Sequence, residues 1–310
     1  MKFHHSELFA TYSIVARDPE TGQFGVAVET HQMSVGGIVP WLLPGFGAVA
    51  TQSMVNISFG PIALKLLREG YPADKVIAAL IAGDSQPQRR QVAVVDKNGL
   101  AAAHTGSGCI PYASHQTGPG YSVQANMMAN DTVVQAMALA YEHTTGDLGQ
   151  RLLAALQAAQ AEGGDIRGMQ SAGLKVVPAA ADGPDWAWVY DVRVDESENP
   201  IDDLARLVRL RHASLVDQQG TEALAAGQRD EALRLWAAAR DEAPELEEMP
   251  FWQAVELADK DGDIPTAVGI LQAGLANDPR RDHWVDLIQR LIDCGIIENP
   301  AAGAQLVAAL

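Results

Sequence analysis

The sequence predicts an α+β domain of antiparallel sheets with helices packed on them, followed by a small all-α domain. Three observations carry this. Strand-like segments come in hairpin groups, with helices bunched in pairs between the groups, as layered α+β folds require. They do not alternate one by one, which excludes a doubly wound parallel sheet. After Asn199-Pro200 the pattern turns to nearly pure helix and carries an internal repeat.

Taken in order, Phe9 to Arg17 reads as a strand, with Tyr12, Ile14 and Val15 among small residues. Asp18-Pro19-Glu20-Thr21-Gly22 has turn chemistry, and Phe24 to Thr30 completes a hairpin. Gly36 to Gly45 is apolar and rich in Gly and Pro, which predicts a buried irregular loop, and Gly47 to Gln52 is a third strand. Ile62, Leu64, Leu66 and Leu67 lie in a helix with Ser58 as its predicted N-cap, Pro61 in its first turn and Gly70 at its end. A second helix follows Pro72 and Asp74. Arg90 to Asp96 and Leu100 to Thr105 flank Asn98-Gly99, the dipeptide preferred in tight hairpins. Tyr121 to Asn126 is a further strand, Val133 to Thr144 and Leu148 to Glu162 are helices, and Ala172 to Val177 and Trp186 to Val194 are strands.

In the helical part, Gly227, Ala232, Leu235, Ala239 and Pro244 recur 35 residues later as Gly262, Ala267, Ile270, Gly274 and Pro279. Five matches at one offset favour a helical repeat of the tetratricopeptide kind over an ordinary bundle, with Trp284 to Leu291 as the cap helix. The domains are therefore an N-terminal extension over 1–10, an α+β domain over 11–199 and a helical domain over 200–310.

The 310 residues carry a formal net charge of -17. Residues 1–200 hold 12 Lys+Arg against 19 Asp+Glu, and residues 201–310 hold 10 against 20. Both parts repel phosphate, so neither nucleic acid nor an anionic membrane surface is an expected partner. Cys109 and Cys294 fall in different domains, which fits free thiols in a reducing compartment. The first ten residues lack the apolar core of a secretory signal, and no apolar run approaches the ~20 residues of a membrane span. The expected location is the cytoplasm. No metal-ligand spacing, phosphate loop or dinucleotide fingerprint is present, so no cofactor is expected.

Several motifs resemble one family. They are Thr11-Tyr12-Ser13-Ile14-Val15-Ala16-Arg17-Asp18-Pro19 with Gly25-Val26-Ala27-Val28, and Gly47-Ala48-Val49-Ala50-Thr51-Gln52. Thr105-Gly106-Ser107-Gly108-Cys109-Ile110-Pro111 follows, then His115, Gly120 to Asn126, and Arg167-Gly168-Met169-Gln170-Ser171-Ala172. In order and spacing they resemble the bacterial domain of unknown function 1028 family, which is similar to the N-terminal-nucleophile (Ntn) hydrolases. The resemblance implies a four-layer αββα sandwich and suggests hydrolysis of an amide. It names no substrate.

In Ntn enzymes the residue opening the first strand attacks an amide carbonyl, and its own α-amine is the base. The resemblance assigns that place to Thr11, although ten residues precede it, so cleavage after Ala10 is required. The plain alternative is a β-branched strand residue. Ser13 shares the sheet face of Thr11 and is a helper hydroxyl, the nucleophile itself, or a filler. His31, at the end of the second strand, is a candidate to orient a hydroxyl or a structural histidine. Gln52, Ser53 and Asn56 supply donors suited to an oxyanion or a substrate carboxylate. Cys109 is a thiol near His115 or a small buried residue. Gln124 and Asn126 share one strand face and are candidates to line a cleft, with Gln170 and Ser171 beside it. The two readings of function are an amide hydrolase acting on a small metabolite or short peptide, and a non-catalytic binding or scaffold protein. In either, the helical domain is expected to recruit a partner or to form a homodimer.

Overall fold

In the computed structural model, residues 11–310 are described in full, and Leu8–Phe9 by their backbone. The chain divides into two compact units, Met1–Val208 and Arg209–Leu310.

The first unit holds two antiparallel sheets. In the first, β5 (Gly47–Met54) pairs with β6 (Arg90–Asp96), which pairs with β7 (Ala101–Thr105). The other edge of β5 is shared by β4 (Pro40–Leu43) and β1 (Leu8–Phe9). The second sheet runs β11 (Tyr190–Val194), β10 (Ser171–Val177), β3 (Phe24–Thr30), β2 (Thr11–Arg17), β9 (Tyr121–Asn126), β8 (Ser114–Gly118). Helices α1 (Phe59–Arg68) and α2 (Ala73–Ala82) pack on the first sheet, and α3 (Val133–His143) and α4 (Leu148–Ala161) on the second. The architecture is mixed α+β with antiparallel sheets, as its sequence pattern predicts.

Alternation along β2 sets which side chain goes where. Tyr12, Ile14 and Ala16 turn to the helix side, where the Tyr12 hydroxyl donates to Gln160 Oε1 of α4 at 3.0 Å. Thr11, Ser13 and Val15 turn to the other sheet, where Val15, Val26, Val28, Ala48, Ala50, Ala93 and Val95 form one apolar cluster.

Three local expectations are corrected. The Gly/Pro-rich stretch from Gly36 is not wholly irregular. A 3-10 turn covers Val35–Gly37, and Pro40–Leu43 pairs with β5, its proline at the first strand position where no ladder donor is needed. β8 was hidden because Ser114–Gly118 is an exposed polar edge strand with no apolar alternation. Ser58 stands at the N-cap of α1 but makes no side-chain cap, and its N–H instead donates to Asn56 Oδ1 at 3.2 Å.

The second unit begins within α5 (Pro200–Ala225), past the change of sequence texture at Asn199-Pro200. It continues with α6 (Arg229–Glu242), α7 (Glu248–Glu256), α8 (Ile264–Leu275), α9 (Arg281–Asp293) and α10 (Pro300–Ala309). Two of the five pairs 35 residues apart share their environment. Gly227 and Gly262 both end helical segments at positive φ, 75° and 77°. Ala232 and Ala267 are both fully buried. Trp236 and Trp284 are core residues, while Trp252 is exposed. The expected cap helix is followed by α10, which packs on both α8 and α9.

Candidate functional site

Strand register assembles the candidate residues. Thr11 stands opposite Thr30 on β3 and Asn126 on β9, and Thr30 stands opposite Ser171 on β10. The row Asn126, Thr11, Thr30, Ser171 therefore crosses one end of the second sheet. All four residues are buried. The Thr11 hydroxyl donates to Thr30 Oγ1 at 3.3 Å.

Facing this end, β5 and β6 contribute Gln52 and Gln91, which are themselves register partners. Gln52 Nε2 donates to the Thr11 carbonyl at 3.1 Å and to Gln91 Oε1 at 2.7 Å. Asn126 Nδ2 donates to Gln91 Oε1 at 2.9 Å. One turn of the pleat deeper, Ser13 Oγ donates to Gln52 Oε1 at 2.6 Å and accepts from Gln124 Nε2 at 2.5 Å. Ser122 Oγ completes Gln124 by donating to its Oε1 at 2.9 Å. Gln91 Nε2 donates to Thr105 Oγ1 at 2.9 Å, and Thr105 Oγ1 is 2.8 Å from His115 Nδ1. A continuous polar seam thus runs from the sealed interior to a half-exposed imidazole. Buried amides need such mutual satisfaction, since each unpaired group costs ~1–3 kcal/mol.

The seam ends at a cavity of about 530 Å³ lined by Thr105, Gly106, Ser107, Cys109, Tyr112 and His115 among others. Cys109 and His115 share this cavity without a hydrogen bond between them. Cys109 Sγ contacts the Arg90 carbonyl at 3.5 Å and accepts from Ser53 Oγ at 3.4 Å. Burial pushes the thiol pKa up. Burial, with His104 nearby, pushes that of His115 down. Both shifts favour the neutral forms, the reverse of what a thiolate–imidazolium pair needs. Gly106 and Gly108 have a packing reason: a Cβ on either would meet the Gln88 carbonyl oxygen, at 2.3 and 3.0 Å.

Other candidates lie off the seam. The His31 ring uses Nδ1 against the Met169 carbonyl at 3.1 Å, and its backbone N–H donates to Asp165. The structure therefore brings His31 to the end of the Thr11 row but gives its ring no bond to Thr11 or Ser13. Asn56 donates to Asp84 at 3.0 Å and shapes the entry to α1. Ser171 Oγ accepts from the Val35 N–H at 3.1 Å and donates to the Gln32 carbonyl.

Sequence reasoning missed Gln91, Thr30 and Glu29. A glutamine just ahead of the apolar run Val92–Val95 was the available signal for Gln91. Glu29 is fully buried on the helix side of β3, opposite Tyr12. Burial, then the nearby Asp165, raises its pKa well above the usual range. Backbone strain also gathers here. The three non-glycine residues at positive φ among the described residues are Ser34, Ser53 and Met127. Ser53 follows Gln52, Met127 follows Asn126, and Ser34 lies four residues past Thr30.

Among the described residues, no group of three His, Cys, Asp or Glu side chains could hold a metal ion. Nor is any helix among them long and apolar enough to cross a membrane.

Comparison with known proteins adds a family. No curated protein matches the chain. The crystal structure of protein SPO2555 from Silicibacter pomeroyi, assigned to DUF1028, is similar at 33% identity and a TM-score of 0.58. The alignment covers 64% of this chain and 87% of that one. The model of the family of unknown function DUF1028 matches residues 11–204, and the chain belongs to that family.

Proposed function

We propose that the first unit is an Ntn-type hydrolase of an amide bond in a small metabolite or short peptide, latent until the Ala10–Thr11 bond is cut. The carrying observation is the position of Thr11. It opens a central strand, its hydroxyl lies in a row of polar side chains between two facing sheets, and amide donors stand at its carbonyl. Two sheets with helices on their outer faces match the layer order of the αββα sandwich, which supports the same reading.

In the uncut chain Thr11 is fully buried and its nitrogen is an amide, so it has no base. Scission leaves an α-amine, which titrates at about 7.7–8.0 in model peptides and is suited to take the Thr11 hydroxyl proton. Gln52 and Asn126, whose amides donate to the Thr11 carbonyl in the uncut chain, are the donors assigned to a developing oxyanion in this reading. Ser34, Ser53 and Met127 each cost about 1–3 kcal/mol of backbone strain, and such strain collects where function fixes geometry.

The test is turnover. A chain with Thr11 at its N-terminus is assayed against acyl anilides and amino-acid amides. Thr11→Ala is expected to lower kcat at least about a thousandfold, while Thr11→Ser keeps measurable activity. Equal rates for wild type and Thr11→Ala sink the proposal.

A second reading has its own observation. The seam is saturated and sealed around Ser13, Gln52, Gln91 and Gln124, as a purely structural network would be. In that reading the first unit binds or assembles, and the 35-residue recurrence marks a tetratricopeptide-like repeat that recruits a partner or forms a homodimer. Light scattering that returns the single-chain mass rejects the homodimer.

A further inference from the structure

We infer that the edge of β5 at Ser53–Met54 is the acyl subsite, and that the acyl side of the substrate is an extended peptide segment. This rests on the hydrolase reading of Thr11. β6 covers one edge of β5 along Gly47–Ser53. The other edge is covered in two pieces, by β4 opposite Gly47–Ala50 and by β1, with Leu8 opposite Met54 and Phe9 opposite Ser53. Phe9 thus belongs to one sheet and Thr11 to the other. Only Ala10 separates them in sequence, so the chain changes sheets within one residue of the bond to be cut.

The chemistry makes this placement informative. Thr11 Oγ1 attacks the Ala10 carbonyl carbon; a C–O bond forms and the C–N bond to Thr11 breaks. The hydroxyl proton ends on the Thr11 nitrogen. Water then cleaves the ester, releasing a carboxylic acid at Ala10 and restoring the hydroxyl. A later substrate passes through an ester on the same oxygen, so its acyl carbon occupies the same point and the chain behind it leaves in the same direction. That direction is the edge now held by Leu8–Phe9. A vacated edge presents backbone donors and acceptors that an added strand satisfies. Ser53, at φ 68° and with its hydroxyl on Cys109, holds that edge in one shape.

The experiment uses the full chain with Leu8→Pro and Phe9→Pro, which removes strand donors, and Leu8→Gly with Phe9→Gly as a second variant that weakens the strand without proline. The probe is a fluorescent synthetic peptide with the sequence of residues 1–10. Both variants, made in the uncleavable Thr11→Ala chain, are expected to bind it at least tenfold more tightly than Thr11→Ala alone, and N-methylating the Leu and Phe amides of the probe removes that gain. After scission, acetyl-Leu-Phe-Ala anilide is expected to turn over at least tenfold faster in kcat/KM than acetyl-Ala anilide. No gain in probe binding by either variant, or a gain indifferent to N-methylation, overturns the subsite. Turnover of short amides with no preference for the peptide overturns the subsite and leaves the hydrolase standing. Edge-dependent probe binding without turnover of any amide overturns the hydrolase reading, and the acyl assignment with it.

Discussion

Ser13 Oγ donates to Gln52 Oε1 at 2.6 Å, tying the centre of β2 to β5 across the two sheets. Both side chains are fully buried, so water replaces neither partner if one is removed. Gln52→Leu leaves the Ser13 hydroxyl, the Thr11 carbonyl and Gln91 Oε1 each short of a partner. The expected cost is about 2–4 kcal/mol, and about 1–3 kcal/mol for Ser13→Ala. In urea unfolding, the double variant is expected to lose less than the sum of the singles, because they share one bond. Strict additivity contradicts a shared network.

Glu29 makes stability depend on pH in an unusual sense. Its folded pKa is raised by burial and by Asp165, so the folded chain keeps a proton that the unfolded chain releases above about 4.3. Stability contributed by this site therefore falls as pH rises above that value, by up to ~1.4 kcal/mol per pH unit until the folded group ionises. Glu29→Gln lacks this loss. Its stability relative to wild type is expected to grow with pH from 4.5 upward in a series of denaturation curves, and a pH-independent difference refutes the assignment.

Two glycines on α8 are expected to respond in opposite ways. A Cβ at Gly274 would lie 2.3 Å from Pro250 Cγ, whereas at Gly269 it meets nothing within 4 Å. Gly274→Ala should destabilise by about 1–3 kcal/mol through overpacking. Gly269→Ala should stabilise by about 0.5–1 kcal/mol through helix propensity. Thermal unfolding of the two variants reads both signs.

The thiols should separate kinetically. Cys294 is exposed, while Cys109 is buried and its pKa is raised by that burial. Ellman's reagent at pH 8 is expected to titrate one thiol quickly and the second much more slowly, and Cys294→Ser should abolish the fast phase. Loss of the fast phase in Cys109→Ser instead would show a reactive thiol in the cavity.

Much of the fold was legible because its signals are local. The hairpin around Asn98-Gly99, the helices of the first unit and the central strands follow from periodicity and turn chemistry. β8 was not legible because an exposed polar edge strand has no apolar face to announce it. At the site, Ser13, Gln124 and Asn126 were named from strand alternation, Thr11 from the family resemblance and Gln52 from its place after the third strand, and the structure brings them together. Gln91 and Thr30 escaped because their importance lies in what register sets opposite them. His31 and Asn56 escaped in the other sense: a strand end near the row does not fix where a ring or an amide points, and both are held by other loops.

Whether Thr11 becomes the N-terminal residue is read by intact mass spectrometry of the purified full-length chain. The expected mass lacks residues 1–10, with Thr11→Ala retaining all 310 residues. Full-length mass in both proteins after prolonged incubation, with no amide turned over, contradicts it.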